Sequence, residues 1–195
     1  MKSLSLNRPH AIFMVGVPGS GKTHFAKQFA EMFNAPYIDS RSIALHTSTP
    51  EEAETIALDF ANEIAKTKQT FIYEGAGHDT YTKRADFTRW AKSRGYEPLL
   101  IWVQTDQRTA MSRSLKAYEL TKESYEQLIK RFSPPHPSES PIVLSGKHTY
   151  AAQAKVVLSR LSQASRREVP ASIAPDRKPH VQSQQQPERR SITIN

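Results

Sequence analysis

The run Gly16 to Thr23, GVPGSGKT, limits what this chain can fold into more than any other segment. It follows a short apolar run, Ala11 to Val15, that reads as a strand, and it leads into a helical pattern that begins near Lys22. Two glycines, a lysine and a hydroxyl residue at this spacing would arise by chance in a chain of this length on the order of once in a hundred. Glycines let the backbone turn until successive amide hydrogens converge, and the helix that follows adds its positive end. Strand, glycine loop and helix together make a phosphate cradle. Gly16, Val17, Pro18, Gly19, Ser20, Gly21, Lys22 and Thr23 are the expected nucleotide-binding residues. Lys22 is placed to reach the β and γ phosphates, and Thr23 to ligate magnesium.

The rest of the chain agrees with a layered architecture. Strands are predicted at Ala11 to Val15, Tyr37 to Ile38, Phe71 to Tyr73, Leu99 to Val103 and Ile142 to Leu144, with helical patterns between them. The helix in Glu51 to Lys66 sets Ala53, Ile56, Ala57, Phe60, Ile64 and Ala65 on one apolar stripe. Ser48 or Thr49 with Pro50, Glu51 and Glu52 forms its start. Behind the glycine loop, Phe25, Phe29, Met32 and Phe33 recur at helical spacing and are expected to anchor that helix. Five strands alternating with helices imply a three-layer α/β fold with a mainly parallel five-stranded sheet. Ligands of such sheets sit beyond the carboxyl ends of the strands, so polar residues that follow each strand become site candidates.

Composition narrows the class further. With no cysteine, disulfides and thiolate chemistry are excluded, and a cytoplasmic protein is the expectation. Nothing approaches the roughly 20 apolar residues that span a bilayer. The formal charge of +8 suits anionic partners, yet it is spread along the chain, +5 in residues 1–165 and +3 in 166–195, so it speaks only weakly for nucleic acid. Residues 166–195, rich in Pro, Gln, Ser and Arg, read as a disordered basic tail, either inert or a loose tether. The expected division is thus a phosphate-loop domain over 1–165 and a tail over 166–195.

Three strand ends carry candidates for chemistry. Asp39, in PYIDSRS, suits an acceptor of the attacking hydroxyl's proton or an organiser of the magnesium shell; the alternative is a helix cap or a turn aspartate. Arg41 is either a substrate contact or a solvated arginine. Glu74, in FIYEGAGHDTYTKR, is placed to hold magnesium through water, while His78 reads as a polar loop histidine without a role. No second ligand stands at a zinc spacing. After the fourth strand, Asp106 fits a helix cap. Arg108, Arg113 and Lys116 then recur every three to five residues on a helix able to close as a lid, with a hinge at Tyr118 to Thr121. Arg113 is the preferred lid residue, offsetting charge on the transferring phosphoryl group.

Together these segments resemble the small P-loop kinases that include the polynucleotide 5′-hydroxyl kinases and, more distantly, the zeta-type toxins. GVPGSGKTHFAKQF is similar to their loop and first helix, IDSR to the segment with their catalytic aspartate, and TDQRTAMSRSLKAYELTKESYEQLIKRFSPP to their lid. The resemblance spans roughly residues 10–163 and implies a P-loop NTPase fold with a helical lid, ATP and Mg2+ as cofactors, Asp39 as catalytic base and Arg113 as the lid arginine. Two departures bear on the acceptor. Ser42 stands where the polynucleotide kinases carry a substrate arginine, with Arg41 one position early. Glu74-Gly75-Ala76-Gly77 is closer to the toxins' glutamate-glycine run.

The expected activity is transfer of the γ phosphate of ATP to a hydroxyl acceptor, a nucleic-acid 5′ end or a small metabolite, with a toxin-like sugar nucleotide as one case. Catalysis falls to Lys22, Asp39 and Arg113, the substrate to Asp39, Arg41 and Glu74, and the metal to Thr23 and Glu74. The alternative of another class is a nucleotide-dependent regulatory protein without an acceptor. No NKxD-like guanine-reading motif is present, which favours ATP over GTP.

Overall fold

A buried parallel strand needs apolar residues on both faces, and the run HAIFMV supplies them: all six residues from His10 to Val15 are buried, forming β1 at the centre of the sheet. The computed structural model describes residues 8–118 and 121–167. Around β1 lie β2 (Tyr37–Asp39), β3 (Phe71–Glu74), β4 (Glu97–Gln104) and β5 (Ile142–Ser145), all parallel, in the order β2-β3-β1-β4-β5. The strands start and stop within one or two residues of the apolar runs that predict them.

Alternation along β1 divides the core in two. Ile12 and Met14 face the layer made by helix α1 (Lys22–Phe33) and the last helix (Tyr150–Arg167), through Phe25, Phe29, Val157 and Leu161. Ala11, Phe13 and Val15 face the opposite layer, through Ala57, Ala61, Phe87 and Ala91. That second layer holds α2 (Ser40–Ala44), α3 (Pro50–Thr67) and α4 (Tyr81–Ser93). After β4 come α5 (Gln107–Tyr118) and α6 (Lys122–Arg131), the expected helical lid, and α7 (Tyr150–Arg167) closes the described chain.

Helix α3 starts as its capping residues dictate. Thr49 is the cap, its hydroxyl accepting the Glu52 amide at 3.1 Å, with Pro50 in the first turn. Its buried stripe is different from the expected one. Ala53, Ala57, Ala61 and Ala65, four apart, meet the sheet, and the small side chains bring the helix close. Ile56 and Phe60 lie outside that contact, 38% and 54% exposed. On α1, Phe25 and Phe29 are buried as expected, whereas Met32 is 47% exposed.

Helix α7 continues past Ser165 to Arg167, and the expected tail from residue 168 onward lies outside the described residues, as do Glu119 and Leu120 of the expected hinge. No helix among the described residues is long and apolar enough to cross a membrane.

Candidate active site

Because every strand is parallel, the loop at residues 16–21, Asp39, Glu74, Thr105 and Gly146 all emerge at the same edge of the sheet. The glycine loop is held there by close backbone contacts. Gly19 has φ +76°, and a side chain on it would sit 2.0 Å from the Ala110 carbonyl of α5. On the other flank, a side chain on Gly146 would sit 2.0 Å from the Ser20 carbonyl, which also accepts the Thr105 hydroxyl at 3.1 Å. Glycine is required at both places by the approach of a second backbone.

Lys22, half-buried, folds back over its own loop and donates to the Gly16 carbonyl at 2.7 Å and the Val17 carbonyl at 3.1 Å. Burial pushes its ammonium down to about 8; Glu74, Asp79 and Asp39 act against that, and Arg41 adds to it. The hydroxyls of Ser20 and Ser114, buried on either side of the loop, have no hydrogen-bond partner among the described residues. A cationic group half-satisfied by carbonyls and bordering two cavities is what a phosphate would complete. The residues therefore fit a nucleotide.

Glu74 is buried and occupied at both oxygens. Thr23 Oγ1 donates to Oε1 at 2.8 Å, and the Tyr37 hydroxyl donates to Oε2 at 2.7 Å. The two expected metal residues are thus in contact. A hydroxyl and a carboxylate are hard oxygen donors, which fits magnesium. Parallel pairing sets Asp39 opposite Glu74 in register, one strand over. Asp39 is also the cap of α2, accepting the Arg41 amide at 3.0 Å and the Ser42 hydroxyl at 2.8 Å. The structure thus shows Asp39 as the cap, on a carboxylate that also lines the cavity beside Lys22.

The turn after β3 departs from expectation. His78 is no exposed loop residue: its ring is buried against Phe13, Tyr73 and Phe87, with centroids 4.8 to 5.2 Å apart. Burial and the nearby Arg84 push it down to about 3, against a hydrogen bond to the Met14 backbone, so the ring is neutral. Next to it, Asp79 lines the same cavity as Lys22, Asp39, Arg41 and Glu74. No strand ends on Asp79, so its sequence position alone does not mark it as a site residue.

Arg113, on α5, donates from Nη1 to the Gly146 carbonyl at 3.1 Å, joining the lid helix to the loop after β5. Asp106 caps α5 through the Thr109 amide at 3.0 Å and pairs with Lys147 at 2.7 Å. Those bonds, the Lys147 one foremost, hold its carboxyl below the usual range. Gly146 and Lys147 were legible in principle, since they follow a predicted strand.

Two cavities flank Lys22. One, about 300 Å³, is bounded by Asp39, Arg41, Glu74 and Asp79, with Leu128 and Phe132 as an apolar wall. The other, about 270 Å³, runs past Gly19, Thr23 and His24 to Arg41 and Arg113. Arg41, exposed at the surface, borders both. A larger cleft of about 760 Å³ opens beside the edge strand β5, and none of Asp39, Glu74 or Asp79 reaches it.

Comparison with known proteins gives one family match: residues 12–135 match the family described as an AAA domain. No curated protein matches the chain. Among solved structures, the chain is similar to a gluconokinase from Sinorhizobium meliloti 1021, at 13% identity and a TM-score of 0.60 over 83% of this chain and 97% of that one. An APS kinase from Mycobacterium tuberculosis, in complex with AMPPNP and APS, gives 16% identity and 0.63 over 80% and 98%. Shikimate kinase from Acinetobacter baumannii, in complex with shikimate, gives 19% and 0.54 over 80% and 95%. At these identities the likeness is one of fold.

Proposed function

The chain belongs to this AAA-domain family and has the fold of the small P-loop kinases, and from that premise we propose that it transfers the γ-phosphate of ATP to a hydroxyl group of a small acceptor. The observation that carries the reading is the cavity of about 300 Å³ in which Lys22 meets Asp39, Arg41 and Glu74. A simple nucleotide switch has no need of a cavity beyond the phosphate lysine, walled on one side by carboxylates.

ATP lies with its phosphates in the loop of residues 16–21, and Lys22 turns from the Gly16 and Val17 carbonyls to the β and γ phosphates. Thr23 and Glu74 would hold magnesium, which when bound would supply charge neutralisation at the phosphates. The acceptor enters beside Asp39, which takes the hydroxyl proton as the oxygen bonds to the γ-phosphorus. The bond to the bridging oxygen breaks and ADP leaves. Arg113, at the phosphate side of α5, offsets charge on the group in transit.

Asp39→Asn tests the assignment cleanly, because asparagine caps a helix about as well as aspartate. The variant should bind ATP as the wild type does and lose acceptor-stimulated ADP release. Undiminished release would remove Asp39 from the chemistry.

A further inference from the structure

Asp79 has no task in the transfer just described, yet it stands in the same cavity. It ends the 3-10 turn Ala76–Asp79, immediately after β3, and lines the space with Lys22, Asp39, Arg41 and Glu74. The other two carboxylates there are committed. Asp39 accepts from Arg41 and Ser42, and Glu74 accepts from Thr23 and Tyr37. The carboxylate of Asp79 accepts no hydrogen bond from any other described residue. Its position is nevertheless fixed through the backbone, where its carbonyl accepts the Ser133 amide at 2.8 Å.

That backbone bond also sets what lies across from it. Ser133 follows Phe132, which with Leu128 of α6 forms the apolar wall of the cavity. The carboxylate therefore borders a space with one hydrophobic side. Burial raises its pKa, against the nearby Lys22, Lys83, Arg41 and Arg84. The balance of charge is equally telling. With Lys22 and Glu74 assigned to the phosphates and metal, the acceptor side keeps Asp39 and Asp79 against Arg41. An anionic acceptor would meet two carboxylates in a partly desolvated space, and like charges so placed are costly. A hydroxyl or ammonium group would supply the donor that Asp79 lacks.

We propose that Asp79 selects the acceptor, its carboxylate receiving a hydrogen bond from a small uncharged or amine-bearing polyhydroxyl compound, and that together with Asp39 it refuses anionic acceptors, nucleic-acid 5′ ends included. This rests on the kinase reading, and the experiment separates the two.

With saturating ATP and magnesium, initial rates of transfer are measured for four acceptor classes: uncharged sugars and polyols, amino sugars, sugar acids, and 5′-hydroxyl oligonucleotides. ATP affinity is followed in parallel with a fluorescent analogue. The wild type should favour the first two classes. Asp79→Asn should raise their KM about tenfold or more, as expected for loss of a charged hydrogen bond. It should leave ATP affinity unchanged and narrow the preference over the anionic classes. Asp79→Glu, which keeps the charge, should keep the preference. A purely structural role would lower all classes by one factor, and that result overturns the proposal. A wild-type preference for sugar acids or oligonucleotides also overturns it, while leaving the kinase reading standing. Transfer to no class by a protein that binds ATP would overturn the kinase reading, and the proposal with it.

Discussion

The hydroxyl of Thr23 donates to Oε1 of Glu74 at 2.8 Å, joining the helix after the glycine loop to the end of β3 through the two residues assigned to one metal ion. The Tyr37 hydroxyl holds the other oxygen at 2.7 Å, so Glu74 has a single orientation before any metal arrives. Preorganisation of this kind lowers the cost of assembling the site.

Removing the charge of Glu74 should therefore be felt at the metal. Glu74→Gln is expected to lower transfer by about 10²-fold or more, comparable to losing one preorganised electrostatic group, and to shift half-saturation by Mg2+ upward. A magnesium titration of activity checks this; an unchanged magnesium requirement would take Glu74 out of the metal site. Tyr37→Phe, which frees Oε2 alone, should have a smaller effect in the same direction.

Lys22 makes the ligand-free protein sensitive to pH. Its folded value, about 8, lies below its ordinary 10.5, so between those limits the unfolded chain holds more protons than the folded one. Stability of the free protein should rise from this group as pH climbs from about 8 to 10.5, and the full cost of burying the ammonium is present below 8. Lys22→Met is expected to raise the Tm of the free protein by a few degrees at pH 7 while abolishing ATP binding. Thermal melts with and without ATP read both, and a lower Tm for the variant would contradict the burial argument.

Arg113 reaches the loop after β5 through the Gly146 carbonyl at 3.1 Å. Arg113→Ala should cut the transfer rate by about 10³-fold, the lower range for an arginine at a transferring phosphoryl group. Arg113→Lys, without the planar fork, should recover little of it. Single-turnover kinetics checks the step directly, since a purely structural arginine would instead alter ATP affinity and Tm.

Arg84 is buried and bonds Glu139 twice, Nε to Oε1 at 2.7 Å and Nη2 to Oε2 at 3.0 Å, and also donates to the His78 and Ser133 carbonyls. It ties α4 to the segment that follows the lid. Loss of one partner of such a pair costs roughly 3–5 kcal/mol, so Arg84→Ala should fail in urea well before the wild type. Burial acts against Glu139, yet its bonds to Arg84 and the His136 amide hold it below the usual range. Its contribution is therefore present at neutral pH and lost as pH falls through that lowered value. Urea midpoints followed from pH 7 down to about pH 3 test both statements.

What the sequence made legible was local. The strands and the glycine loop follow from apolar runs and turn chemistry, and Asp39 and Glu74 follow from their places at strand ends. What it hid depends on contacts between distant segments. Nothing near His78 in the chain announces that Phe13 and Phe87 enclose its ring. Asp79 owes its place to a 3-10 turn tied to Ser133, more than fifty residues on. Phe60 fits a helical stripe as well as Ala61 does, and only the close approach of α3 to the sheet decides that the alanine goes inside.

The central claim is transfer to an acceptor, and product analysis tests it most directly. The protein is incubated with γ-labelled ATP, magnesium and the hydroxyl compounds named above, and the fate of the label is followed in the wild type and in Asp39→Asn. Label should appear in a phosphorylated acceptor with the wild type and be lost from it with the variant. Label released only as inorganic phosphate, at one rate with and without every acceptor, would contradict the claim.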